Sequence, residues 1–399
     1  MLTLNKWLDL FSCKKLSYNE FINISKVKKN NGTFVKLKDI IKEKNIPNHI
    51  VKFFYELFVL NKEKYLTNFY NKSLKISDKE ITQLCINNDK YSEHKNIIRN
   101  MYYREILLET NTIQPNIRNY LEVILDLFKY HIIDYKLVTP SSIKLISQKK
   151  LSNILSGLYF RSSIMNPLIP YTISNHIDYK FKVLTPTLGW SSYLIGIMAN
   201  DNVDEYVGID VIKKVCDNTS KIATKKEIKN DIYCIPSEDL YNDNKFMNKY
   251  KDYFDFIFFS PPYFQLELYK GSKQSTARYK TYDEWLEGYW RNTIKLCFHS
   301  LRKGRLMFYI ISGYNMRGKY INLEKDMNSI TTSEGFNLVK KLNMIGKNVG
   351  FTKHRTSKET IFIFSKGDVN ENELNAFFKK ISKCDGNKKT KKINKKNKQ

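Results

Sequence analysis

The run Asp255-Phe256-Ile257-Phe258-Phe259-Ser260-Pro261-Pro262-Tyr263 limits what this chain can fold into more than any other feature. An unbroken apolar stretch of this length reads as a strand buried on both faces, as in a parallel sheet. Two successive prolines then fix φ and remove two ladder donors, so the strand stops and the chain leaves it rigidly. What emerges is a stiff platform carrying a hydroxyl at Ser260, a carbonyl at Pro261 that can face a crevice, and a flat ring at Tyr263. A simple proline turn followed by a packed tyrosine would give the same letters, so the surrounding pattern has to decide between them.

That pattern is alternating. Lys182–Leu184, Tyr206–Ile209, Asp231–Cys234, Leu306–Ile311 and Thr360–Phe364 are further strand-like runs separated by helical stretches. Such alternation predicts a parallel, doubly wound α/β sheet, with ligands at the carboxyl ends of its strands. Before it, from Trp7 to about Lys150, apolar residues recur at helical spacing, as in Ile50, Phe53, Phe54, Leu57, Phe58 and Leu60 after Pro47-Asn48. Gly32 is the only glycine of that part, which fits helices joined by short Asn/Lys loops. The expected organisation is a mainly α-helical, basic domain at 1–150, an α/β domain at 151–370, and a segment at 371–399 ending in a flexible Lys-rich tail.

Charge narrows the partner. The chain carries 67 Lys+Arg against 40 Asp+Glu, a net charge of +27. Residues 1–150 hold 26 basic and 15 acidic side chains, so the excess is spread through the folded parts and not confined to the tail. A distributed positive field suits a polyanion, and nucleic acid is the commonest one. The six cysteines show no C-x-x-C spacing and the six histidines no metal-ligand cluster, so no metal site or disulfide framework is expected. With no long apolar stretch, the expectation is a soluble, intracellular protein of a reducing compartment, without a membrane partner.

The platform resembles the amino-group family of S-adenosylmethionine-dependent DNA methyltransferases, whose motif Asp/Asn/Ser-Pro-Pro-aromatic ends the fourth strand of a Rossmann-like class I methyltransferase fold. The resemblance spans about 157–366. It implies that Ser260, Pro261, Pro262 and Tyr263 form the catalytic pocket, the first two accepting the hydrogens of an exocyclic amine on cytosine N4 or adenine N6 and the ring stacking on a flipped-out base. It also implies S-adenosyl-L-methionine as cofactor and DNA, or RNA, as partner. The segment Thr185-Pro186-Thr187-Leu188-Gly189-Trp190-Ser191 resembles the family's cofactor turn, with Thr185, Thr187 and Ser191 standing where the family has Asp, Phe and a second Gly. Asp210 closes the next strand run, 21 residues after Gly189, where α/β cofactor sites hold ribose hydroxyls. Asp239, after the third run, is the residue assigned near the adenine amino group. Asn166, with Pro167, resembles the segment that closes over the methionine carboxylate.

Other segments complete the picture. Tyr282–Leu286 and Leu301–Gly304 look like the helix and the approach to the fifth strand of these enzymes. Gln265–Lys280, with Lys270, Lys273, Arg278 and Lys280, reads as a flexible basic loop beyond the site, and Lys353, His354, Arg355, Lys358 and Glu359 as a basic turn before the last strand. An RNA or protein-glutamine methyltransferase is the nearest alternative enzyme; a degenerate methylase fold serving as a nucleic-acid scaffold is the non-enzymatic one.

Overall fold

Helix starts are written into the amino-terminal sequence by capping residues. Ser17 and Glu20 form a reciprocal capping box on helix Tyr18–Ile24, and Asn119 and Glu122 form another on Tyr120–Phe128. Thr139 caps Pro140–Ser147, whose first residue is the proline that a helix tolerates there. These helices belong to the first of two compact units, Met1–Leu74 with Arg104–Ser162; the second comprises Lys75–Tyr103 and Ser163–Gln399. The computed structural model describes residues 3–71, 80–88, 91–114, 117–175, 177–344 and 359–384. Lys353, His354, Arg355, Lys358 and the tail at 385–399 lie outside the described residues.

The first unit has an aromatic core. Trp7 packs on Phe11 and Phe69, and Phe58 on Phe54 and Phe128. It also holds a small sheet absent from the helical expectation: β1 (Lys26–Lys28), β2 (Phe34–Lys36) and β3 (Ile132–Asp134), in the order β2-β1-β3. Each strand has three residues, too few for an alternating pattern to stand out from helical spacing.

The second unit is built on a seven-stranded sheet. Its strands are β4 (Phe181–Thr185), β5 (Val203–Ile209), β6 (Lys229–Tyr233), β7 (Phe254–Phe259), β8 (Leu301–Ile311), β11 (Asn337–Asn343) and β12 (Thr360–Ser365). A hairpin, β9 (Tyr314–Met316) and β10 (Lys319–Ile321), lies between β8 and β11. The order is β11-β12-β8-β7-β4-β5-β6, parallel from β8 to β6, with β12 antiparallel to both its neighbours. β7 is buried at every position, as its unbroken apolar run predicts. Its one acid, Asp255, takes Arg302 at 2.6 Å and the Lys182 amide at 3.0 Å.

This order places a switch point at the centre. The chain runs outward from β4 through β5 to β6, then returns to lay β7 on the other side of β4. The connections on the two sides of β4 diverge there, which opens a crevice at the strands' carboxyl ends. Strand β8 begins earlier than the run Leu306–Ile311 suggested, because Gly304 at φ +77° lets the strand bulge while still pairing with β7.

Candidate active site

Strand β4 ends at Thr185, whose hydroxyl bonds that of Tyr206 at 2.6 Å in the core. The turn that follows places Gly189, Trp190 and Ser191 in succession at φ +51°, +59° and +64°. Left-handed backbone costs an ordinary residue roughly 1–2 kcal/mol, so two such residues need outside support. Trp190 has it from Tyr102 and Tyr269, with ring centroids at 5.2 and 5.5 Å. Ser191 has it from hydrogen bonds to the Tyr102 hydroxyl at 2.8 Å and to Thr219 at 2.6 Å. Ser191 thus adopts a conformation that favours glycine and holds it with its side chain.

Asp210 follows β5 and is bound from three sides by backbone. One carboxylate oxygen accepts from Leu188 N–H at 3.1 Å; the other accepts from Val211 and Ile212 N–H at 2.8 and 3.0 Å. Burial pushes its carboxyl above the usual carboxylate range while these amides pull it down. The Leu188-bound oxygen retains acceptor capacity beyond its single amide. Val211, Ile212, Val215, Ile235 and Pro236 form an apolar wall beside it.

Beyond β7, Ser260 donates its hydroxyl hydrogen to the Ile310 carbonyl at 3.0 Å. Its backbone is tied to the turn after β4 and the helix that follows: the Ser260 N–H donates to Tyr193 Oη at 3.0 Å, and its carbonyl accepts from Thr187 Oγ1 at 3.2 Å. The Tyr263 hydroxyl accepts from the Ser312 N–H at 2.7 Å, just past the end of β8. The two ends of the platform, Ser260 and Tyr263, are therefore each held by a neighbouring strand or turn.

These elements line one open cleft. Pro186, Thr187, Gly189, Trp190, Asp210, Ser260, Pro261, Pro262 and Tyr263 all line it. Four expected site residues are not on its wall. Thr185 and Ser191 are buried behind the turn, and Asn166, fully buried, accepts from the Leu168 N–H at the start of helix Leu168–Ser174 and also donates its own N–H to Asn88. Asp239 is turned to Arg278, at 2.6 Å, with its side chain about half exposed. The acid on the wall is its neighbour Glu238, which Arg278 also grips at 2.7 Å. Glu238, Tyr193, Glu267 and Tyr269 were not singled out from the sequence; Glu238 is one residue from the acid that was. Among the described residues no group of three or more His, Cys, Asp or Glu is placed to hold a metal, and no helix is long and apolar enough to cross a membrane.

Burial pushes the Glu238 carboxyl up to about 7, against the pull of Arg278. The folded state therefore holds a proton that the unfolded chain has released, from the ordinary glutamate value up to about pH 7, and stability falls as pH rises through that window. Glu238→Gln removes this dependence. Relative to wild type, the variant should gain about 3 kcal/mol of stability between pH 4.5 and 8, at about 1.4 kcal/mol per pH unit of displacement, checked by urea unfolding at both pH values.

The strand order, with its single reversed strand next to the edge, is that of the class I methyltransferase fold. No family model matches the sequence, and no curated protein matches it. Among solved structures, the chain is similar to the cyclase SpnF, with 11% identity, 51% of this chain and 81% of that chain covered, and a TM-score of 0.36. It is similar to a 1,6-didemethyltoxoflavin-N1-methyltransferase of Burkholderia thailandensis bound to S-adenosylhomocysteine (11% identity, 50% and 76% covered, TM-score 0.35). A third is an S-adenosylmethionine-dependent methyltransferase of Clostridium acetobutylicum (11% identity, 50% and 89% covered, TM-score 0.33). At such distances these likenesses carry no residue-level argument.

Proposed function

We propose that the protein is an S-adenosylmethionine-dependent methyltransferase acting on the exocyclic amine of a DNA base, cytosine N4 or adenine N6. The observation that carries this reading is the state of Ser260. Its hydrogen is committed to the Ile310 carbonyl, so what its Oγ offers the cleft is lone pairs. Beside it, Pro261 contributes a carbonyl from a residue that has no N–H. An aromatic amine is a poor nucleophile because its lone pair is delocalised into the ring. Two acceptors aimed at its hydrogens favour a pyramidal nitrogen with that lone pair localised, and Tyr263 supplies a flat wall for the base.

The cleft fits the cofactor. Asp210 has acceptor capacity for ribose hydroxyls, Val211, Ile212, Ile235 and Pro236 make an apolar slot for a purine, and Glu238 and Ser237 stand near it as polar partners. S-adenosylmethionine, when bound, supplies a methyl group on a sulfonium. Holding two reactants in near-attack position is worth roughly 7–11 kcal/mol in favourable cases, so this chain's contribution is chiefly orientation, and the amine proton leaves to water. Thr187 and Tyr193 matter here as positioning residues, because they hold the Ser260 backbone against the turn that contains Gly189. The net charge of +27 favours a polyanionic substrate, and within that class the choice of DNA rests on Ser260 standing first in the Ser-Pro-Pro-Tyr motif.

Calorimetric titration with S-adenosylmethionine tests the cofactor half of the proposal. Wild type should bind. Asp210→Ala should bind at least about a hundredfold more weakly, since hydrogen bonds to a charged acceptor contribute about 1.5–3 kcal/mol each. Absence of binding to either protein would favour a scaffold over an enzyme, and equal binding by both would remove Asp210 from the cofactor site.

A further inference from the structure

The small sheet of the first unit has an outer face that carries three lysines. Register sets Lys26 opposite Lys36 and Lys28 opposite Phe34, with Val27 opposite Val35 between them. Side chains alternate across a strand, so Val27 enters the core while the three lysines and Phe34 share the other face. Lys26 and Lys36 are exposed, and Phe34 keeps 50% of its surface in solvent, with the Lys28 ammonium 5.9 Å from its ring. Like charges directly opposite each other destabilise a strand pair. Lys28 lies by register opposite Asp134 of β3 and also acts on the Asp126 carboxylate, two acids that Arg118 shares; Lys26 and Lys36 instead face each other.

The turn joining the strands is well defined and polar. Lys29 N–H donates to the Thr33 carbonyl at 2.8 Å, Gly32 N–H to the Lys29 carbonyl at 3.0 Å, and the Thr33 N–H and hydroxyl both donate to the Asn31 side chain. Gly32, at φ +83° with open space around it, makes the turn possible. From Lys26 to Lys38 the segment contains five lysines and no acid.

We propose that this lysine-bearing β-ribbon is a duplex-DNA contact of the protein, its turn entering a major groove and Lys26, Lys28 and Lys36 lying on phosphates. With β3 paired along the other edge of β1, the strands lie over the phosphates and only the exposed turn Lys29–Thr33 enters the B-form major groove, about 12 Å wide; the deep, narrow groove of A-form RNA does not admit side chains. Lysines supply point charges, so the ribbon contributes salt-sensitive affinity and register more than base reading. Asn30, exposed at the tip, is the side chain able to offer a base edge both a donor and an acceptor. The inference deepens the DNA reading given above and takes its partner from it.

The test is fluorescence anisotropy on the full chain with a labelled DNA duplex, a matching RNA duplex and anionic vesicles over a series of salt concentrations. For the triple variant Lys26→Gln/Lys28→Gln/Lys36→Gln, DNA affinity at low salt should fall at least tenfold. Its log–log salt slope should shrink by about 2 to 3, at about 0.9 per lost phosphate contact. Lys26→Glu separates binding from folding, because the new carboxylate faces Lys36: thermal stability should rise while DNA affinity falls. A triple variant with the wild-type slope, tighter binding of the RNA duplex than of DNA, or an equal loss on vesicles would overturn the ribbon assignment. Titration of the same variant with S-adenosylmethionine keeps the two proposals apart. Retained cofactor binding with lost DNA binding supports the ribbon, and a chain that binds duplex through the ribbon but methylates nothing removes only the methyl-transfer reading.

Discussion

Tyr263→Ala is expected to lose methyl transfer by at least about a hundredfold while binding S-adenosylmethionine as wild type does. Stacking of a base on an aromatic ring contributes about 1–3 kcal/mol, and an extruded base that is not held cannot present its amine to Ser260 and Pro261. The loss should therefore exceed the stacking term alone. Because the Tyr263 hydroxyl also receives the Ser312 N–H, Tyr263→Phe is the informative companion. It keeps the ring and leaves one buried amide unpaired, so it should show a modest loss of stability and retain much of the transfer. Pro262→Ala should also abolish transfer in a folded protein, since it frees the segment that holds the ring. The measurement is single-turnover transfer from labelled cofactor, run beside a thermal melt of each variant. Full activity in Tyr263→Ala would remove the ring from the site.

Gly189→Ala is expected to be more damaging than its single methyl suggests. A Cβ there would lie 2.2 Å from the Tyr193 ring, on a backbone at φ +51°. Tyr193 has little room to yield: its ring packs on Phe258 at 5.2 Å and its hydroxyl receives the Ser260 N–H. Moving it shifts the cofactor turn and the platform together. Cofactor binding should fall below detection and transfer should disappear with it, whereas a variant damaged only at the platform would still bind. Cofactor titration and transfer measured on one preparation make that distinction; wild-type cofactor affinity in Gly189→Ala would show that the turn is not the binding element.

How much of this was legible in the sequence differed from element to element. β7 and its platform were legible because a fully buried strand leaves a continuous apolar run, and paired prolines mark its end to the residue. Asp210 was legible through spacing, since the turn, helix and strand from Gly189 to Asp210 form one repeat unit of the fold. β11 was not: it is an edge strand whose adjacent Lys340 and Lys341, with Asn337 and Asn343, resemble a polar loop. The ribbon β1–β2 was hidden for the related reason that its residues are mostly lysine and asparagine around a single buried Val27.

Within the site, the misses have local causes. Glu238 and Asp239 both sit in the one-turn helix Ser237–Leu240. Which of two adjacent acids faces the cleft depends on where that turn begins, and the letters do not fix it. Ser191 looked like a departure from a glycine pattern because the residue supporting it, Tyr102, lies 89 positions earlier in the chain. A contact over that distance leaves no local pattern. Asn166 and Thr185 were expected at the cleft through their resemblance to the family's segments, but their side chains serve the backbone and the core behind it.

The account rests on Asp210 and the Ser260–Tyr263 platform serving a single reaction across the cleft they both line. Its most direct test is nucleoside mass spectrometry of duplex DNA incubated with the purified protein and methyl-labelled S-adenosylmethionine, with Tyr263→Ala alongside. Label on cytosine N4 or adenine N6 from the wild type, and none from the variant, is the predicted result. Label on a ring carbon, or no label in DNA from a protein that binds the cofactor, would contradict it.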